Sequence, residues 1–79
     1  MTRETFRATI LNPKEVLFEG ETWSVFLCGV EGEFEILKFH KDIVSLLKEG
    51  IIIVNWKKKI PIKKGVVKVF NGELTALVE

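Results

Sequence analysis

Cysteine occurs once in this chain, as Cys28, and histidine once, as His40; there is no tyrosine, and there are only two prolines. A lone cysteine cannot close an internal disulfide, so a bridge-stapled secreted scaffold is excluded and a reducing compartment fits. One Cys and one His are too few for a zinc site. Charge of one sign is missing too: twelve Lys and Arg stand against eleven Asp and Glu, a net charge of +1. Nucleic-acid modules usually carry a clear basic excess, so no nucleic-acid partner is expected. The longest purely aliphatic run is Ile51–Val54. A membrane helix needs about 20 apolar residues, so no direct membrane insertion is expected. The first residues, Met1-Thr2-Arg3-Glu4-Thr5, are polar and of mixed charge, without the apolar core of a targeting signal. No glycine-rich phosphate loop and no calcium-loop pattern is present.

What is present reads as one small globular domain over residues 1–79, with 47% hydrophobic and 29% charged residues. A chain this short buries only roughly 60–65% of its unfolded surface, so a partner would add to a thin margin of stability. Apolar residues recur with period two. Phe6, Ala8 and Ile10 alternate with Arg7 and Thr9; Trp23, Val25 and Leu27 form a second set, with Thr22, Ser24 and Phe26 opposite. Asn12-Pro13-Lys14 marks a turn, and Cys28 to Phe34, with two glycines and two glutamates, reads as a loop. Ile51–Val54 is continuous and β-branched, as in a strand buried on both sides or at a sheet crossover. Pro61 cannot donate to a ladder and belongs at an edge or a bulge. Asn71-Gly72 between apolar runs signals a tight hairpin, because both residues accept positive φ. Ile43, Val44, Leu46 and Leu47 suit a short helix face, with Asp42 as N-cap and Gly50 as stop, and equally an extended segment. The whole points to an all-β fold, a small sandwich or barrel.

Few residues carry chemistry. His40 has no serine or cysteine near it in sequence and reads as a loop histidine bound to backbone or to a partner rather than a general base. Cys28 ends an alternating strand and reads as an inert, core-facing thiol. Glu31, Glu33 and Glu35 alternate, so an extended backbone puts all three on one face, where they suit a cation, a basic partner or solvent. Trp56 followed by Lys57-Lys58-Lys59 could stack and neutralise a nucleic acid, but a hairpin would split the lysines between faces and use them to guard an edge. No catalytic, cofactor or metal set is assigned.

Leu17-Phe18-Glu19-Gly20-Glu21, then Gly29-Val30-Glu31-Gly32-Glu33-Phe34 with His40 beyond it, resemble the N-terminal domain of the epsilon subunit of rotary F-type ATP synthases. Asn12-Pro13, Ser24-Val25, Leu46-Leu47-Lys48-Glu49-Gly50 and Asn71 to Val78 extend the likeness from about residue 6 to the end. The departures are Cys28 for a usual Pro, Glu35 for Gly, and Phe39-His40-Lys41-Asp42 for Gly-His-Ala-Pro. The chain stops at Glu79, where the family continues into a two-helix hairpin.

The resemblance implies a flattened β-sandwich of about eight to ten short strands, without that hairpin, and extended structure over 42–49. It implies a non-catalytic central-stalk subunit that links the gamma subunit to the c-ring and so couples ion translocation to ATP synthesis. Glu31, Gly32, Glu33, Phe34 and His40 would then form the partner interface. The place would be the cytoplasmic face of the inner membrane, peripheral, within the synthase. The competing reading is a free-standing β-sandwich interaction module that kept the fold and not the complex. An oligonucleotide-binding barrel using Trp56 and the lysines is a third.

Overall fold

The computed structural model describes residues 4–79. The strands are β1 (Phe6–Leu11), β2 (Val16–Thr22), β3 (Val25–Gly29), β4 (Gly32–Ile36), β5 (Ile43–Leu47), β6 (Gly50–Val54), β7 (Lys58–Ile62), β8 (Gly65–Phe70) and β9 (Glu73–Val78). Strand order is β2-β1-β9-β8-β5-β3-β6-β7, with β4 on the other edge of β3. The joint between β5 and β3 is a single register pair, Gly29↔Leu47. The ladder bends there into two layers, β2-β1-β9-β8-β5 and β4-β3-β6-β7. Neighbours pair antiparallel except β1 and β9, which run parallel with Ala8 opposite Leu74. The period-two pattern sends Ala8, Ile10, Val25, Leu27, Ile52, Val54, Val67, Leu74 and Ala76 into the space between the layers, each at most 1% exposed. The expected all-β sandwich and its strand count are what the structure has.

Several local expectations hold for the reasons given. Asn12 Oδ1 accepts from the backbone N–H of Lys14 and Glu15, each at 2.8 Å, and closes the first turn. Asn71 and Gly72 both take positive φ, 54° and 81°, between β8 and β9. Pro61 lies on β7, the last strand of the order, where a missing donor is tolerated.

Residues 43–47 form a strand, as the resemblance implied, with Leu47 turned inward while Val44 and Leu46 stay 72% and 62% exposed. Two expectations need correction. The loop read from Cys28 to Phe34 shrinks to the two-residue turn Val30-Glu31, with Gly29 opposite Gly32. A Cβ on Gly29 would lie 2.7 Å from the Gly32 carbonyl oxygen, so this tight pairing needs glycine. Ile51–Val54 lies in β6, between β3 and β7 within one layer, and is not buried on both sides, since Ile51 is 45% exposed.

Candidate functional site: two ends of one sandwich

The β3–β4 hairpin separates the five sequence-nominated interface residues. Val25 pairs with Ile36 and Gly29 with Gly32, so the Val30-Glu31 turn caps one end and residue 37 leaves from the other. About 20 Å of extended backbone lies between Glu31 and Leu37. Glu31, Gly32, Glu33 and Phe34 therefore stay together, and His40 stands apart at the opposite end.

At the Glu31 end, the turn is tied to the other layer by Val30 N–H donating to the Leu46 carbonyl at 3.0 Å. Glu31 and Glu33 are exposed, and Phe34 is half-buried against the core. Beside this turn lies a feature that sequence reading missed. Leu11 pairs with Val16 and Leu77, Leu77 with Val66, and Val66 with Leu46. All five side chains face outward, so an apolar row crosses five strands over about 20 Å. A register shift between Ile10 and Leu11 brings Val16 opposite Leu11. Leu11, Leu77, Val66 and Leu46 of this row, with Val30, line an apolar hollow of about 720 Å³ bordered by Lys64 and Glu79. Farther along the same face the residues turn polar, with Arg7 bonded to Glu19 at 3.0 Å.

At the other end, His40 sits in the connection from β4 to β5. Its Nδ1–H donates to the Lys41 carbonyl at 2.8 Å. Among the described residues no carboxylate bonds the ring. Asp42 Oδ1 accepts from Asn71 N–H at 3.0 Å and fastens the connection to the β8–β9 turn.

Below this connection lies a polar cluster with no sequence signal beyond its residue types. Thr22 and Ser24 are 1% and 0% exposed. Asn55 Oδ1 accepts from Thr22 Oγ1, from Trp23 N–H at 2.8 Å and from Ser24 N–H at 3.3 Å. Asn55 and Trp56 hold φ of 55° and 52° and form the tight turn between β6 and β7. The Trp56 ring packs on Phe26 at 5.2 Å, and its indole N–H donates to Glu35 Oε2 at 2.9 Å. Glu35 also accepts from Ser24 Oγ, so it is a structural clasp rather than one of three free carboxylates. Trp56 is tied into the same cluster, although it stays 51% exposed.

Cys28 is 4% exposed, and its Sγ donates to the Lys48 carbonyl at 3.2 Å. Burial pushes the thiol above its ordinary value of 9.0. The unfolded chain then loses this proton first as pH rises, so the thiol lowers stability only above that ordinary value. Native Cys28 is expected to resist iodoacetamide at pH 8 and to react fully in denaturant. Melting curves should show Cys28→Ala with a flatter alkaline decline than the native chain.

The fold defines a β-sandwich body with an apolar row on one outer face. Residues 5–79 match the profile of the ATP synthase delta/epsilon chain β-sandwich domain, and the chain belongs to that family. It is 39% identical over 80 residues to the ATP synthase epsilon chain of Nitratiruptor sp., covering 96% of this chain and 62% of that one. It is 39% identical over 74 residues to that of Sulfurimonas denitrificans, covering 89% and 57%. The chain thus spans about three-fifths of the length of these relatives. Among solved structures it superposes on a chain of the Euglena gracilis mitochondrial ATP synthase with a TM-score of 0.82 at 22% identity, covering 94% of this chain and 50% of that one. For a chain of the Tetrahymena thermophila central stalk and c-ring the TM-score is 0.79 at 11% identity, covering 99% and 66%. At these identities the superpositions establish the fold.

Proposed function

We propose that the chain is a non-catalytic central-stalk subunit of an F-type ATP synthase, linking the gamma subunit to the c-ring so that ion flow and ATP synthesis stay coupled. In this reading the Glu31 end, with Gly32, Glu33 and Phe34, meets the ring, and His40 meets gamma. The subunit sits peripherally on the cytoplasmic face of the inner membrane, as part of the complex, and binds no cofactor of its own. The observation that carries the reading is the uncovered apolar row from Val16 to Leu46, contiguous with the Val30-Glu31 turn. A five-strand apolar band on a domain this small marks a face for a protein partner. The names of the relatives support which partner that is. A β-ladder body with contacts at both ends suits torque transfer, which needs stiffness and two interfaces rather than a pocket.

The test compares Glu31→Gln, Glu33→Gln and His40→Ala in melting and in affinity for a gamma–c-ring assembly lacking this subunit. Exposed loop substitutions change stability by no more than about 0.5 kcal/mol. Removing a carboxylate paired to a basic group in a buried interface costs roughly 2–5 kcal/mol of binding. Near-native melting with weakened assembly is expected. Native-like binding by all three variants would move the chain to the free-standing module.

A further inference from the structure

The side-chain amides of this chain are Asn12, Asn55 and Asn71, and there is no glutamine. An asparagine amide is lost when the backbone nitrogen of the next residue attacks its Cγ, so the neighbour decides which of them can react. Asn12 precedes Pro13, whose nitrogen carries no proton to give up. Asn55 precedes the bulky Trp56, and its Oδ1 is held by Thr22, Trp23 and Ser24. Asn71 precedes Gly72; both are exposed, and no atom lies within 4 Å of the place a Gly72 side chain would take. They form the tip of the β8–β9 hairpin, closed by Phe70 opposite Glu73. Exposed loop tips of small polar residues are where covalent change concentrates. One contact restrains this tip from outside the hairpin: Asp42 Oδ1 accepts from Asn71 N–H at 3.0 Å.

We propose that Asn71-Gly72 is a deamidation site whose rate is set by the Asp42 latch, and that its modification unfastens the β4–β5 connection. This is independent of the rotor reading. The Gly72 nitrogen gives its proton to water and bonds to Asn71 Cγ. The bond from Cγ to the side-chain nitrogen breaks, and ammonia leaves with a proton taken from water. A second water opens the cyclic imide at either carbonyl and leaves aspartate or isoaspartate. The net reaction consumes one water, releases one ammonia and needs no oxidant or reductant. Ring closure requires the backbone at Asn71 to leave its turn geometry, with φ of 54°, so the rate in the folded chain follows how often the turn opens. The product carries a carboxylate on the residue that Asp42 grips, and isoaspartate also adds a carbon to the main chain of a two-residue turn. Both loosen the connection, in which Lys38 and Lys41 are exposed.

The native chain, Asp42→Ala and Asp42→Asn are held at pH 8, with and without denaturant, and followed by intact mass and peptide mapping. Acidic product should form at residue 71 ahead of residues 12 and 55, and faster in denaturant. Asp42→Ala should form it about fivefold faster than the native fold at a near-native thermal midpoint, because one charge-assisted hydrogen bond on the turn is lost. Asp42→Asn keeps an oxygen acceptor and should stay at the native rate. Aged protein should be cut by trypsin after Lys38 and Lys41 sooner than fresh protein. Product appearing first at residue 12 or 55, or none at residue 71 by the time the denatured chain is fully converted, overturns the site. Equal rates in the native chain and Asp42→Ala, an equal gain in Asp42→Asn, or a gain matched by a fall in midpoint overturns the latch. Trypsin cutting aged and fresh protein alike overturns the release of the connection.

Discussion

Asn55→Ala is expected to lower the thermal midpoint by roughly 15 °C, while Asn55→Asp stays within a few degrees of native. One amide oxygen serves Thr22 Oγ1 and the N–H groups of Trp23 and Ser24. Thr22 and Ser24 are almost wholly buried, so water does not replace the lost acceptor freely. A buried donor left unpaired costs about 1–3 kcal/mol. Alanine at the φ of 55° that Asn55 holds adds about 1–2 kcal/mol, since L-residues other than Asn and Asp resist that conformation. Taking about 3 kcal/mol as the sum after partial relaxation, a domain of this size loses roughly 4–8 °C per kcal/mol. Aspartate keeps an oxygen acceptor and the backbone preference, which separates the acceptor's role from mere packing. Scanning calorimetry of the three proteins checks the point; an alanine variant melting within about 3 °C of native would sink the hub assignment.

Leu27→Ala should be of similar size, destabilising by about 3 kcal/mol, whereas Leu46→Ala should change stability by no more than about 0.5 kcal/mol. Leu27 is 0% exposed between the two layers, and truncating it leaves a cavity that a β-ladder framework closes poorly. With total stability of about 4–12 kcal/mol for a chain this long, the loss removes a quarter or more of it. Leu46 lies in the outward row at 62% exposed, where its methyl groups meet solvent. In the rotor reading the same truncation should weaken assembly about tenfold. Urea melts paired with binding measurements distinguish the two leucines. Equal destabilisation by both would contradict the assignment of the row to the outer face.

Local chemistry made much of this legible from the chain. The alternation in Phe6–Ile10, the Asn12 turn, the Asn71-Gly72 hairpin and the edge position of Pro61 each depend on neighbours within a few residues. The resemblance nominated Glu31 to Phe34 and His40 together; the structure keeps Glu31 to Phe34 side by side at the β3–β4 hairpin, and the extended strand β4 sends His40 to the far end. Spacing alone left Ile43 to Leu47 open between helix and strand, because apolar residues on both strand faces imitate a helical stripe; the resemblance favoured the extended form, and pairing with β8 separates the inner residues from the outer ones.

By itself the sequence determined the class of fold, the turns at Asn12 and Asn71-Gly72 and the family, because alternation, turn-forming residues and short motifs are properties of contiguous segments. Only the tertiary structure decided which outward residues stand side by side. The row Val16–Leu11–Leu77–Val66–Leu46 joins residues from four separate stretches of chain, and its alignment depends on the register of a parallel β1–β9 pair and a shift in β2. The Asn55 hub likewise reaches more than thirty residues back to Thr22 and Ser24. Such contacts follow from strand order and register, which are global outcomes of packing two apolar faces together, and no local pattern encodes them.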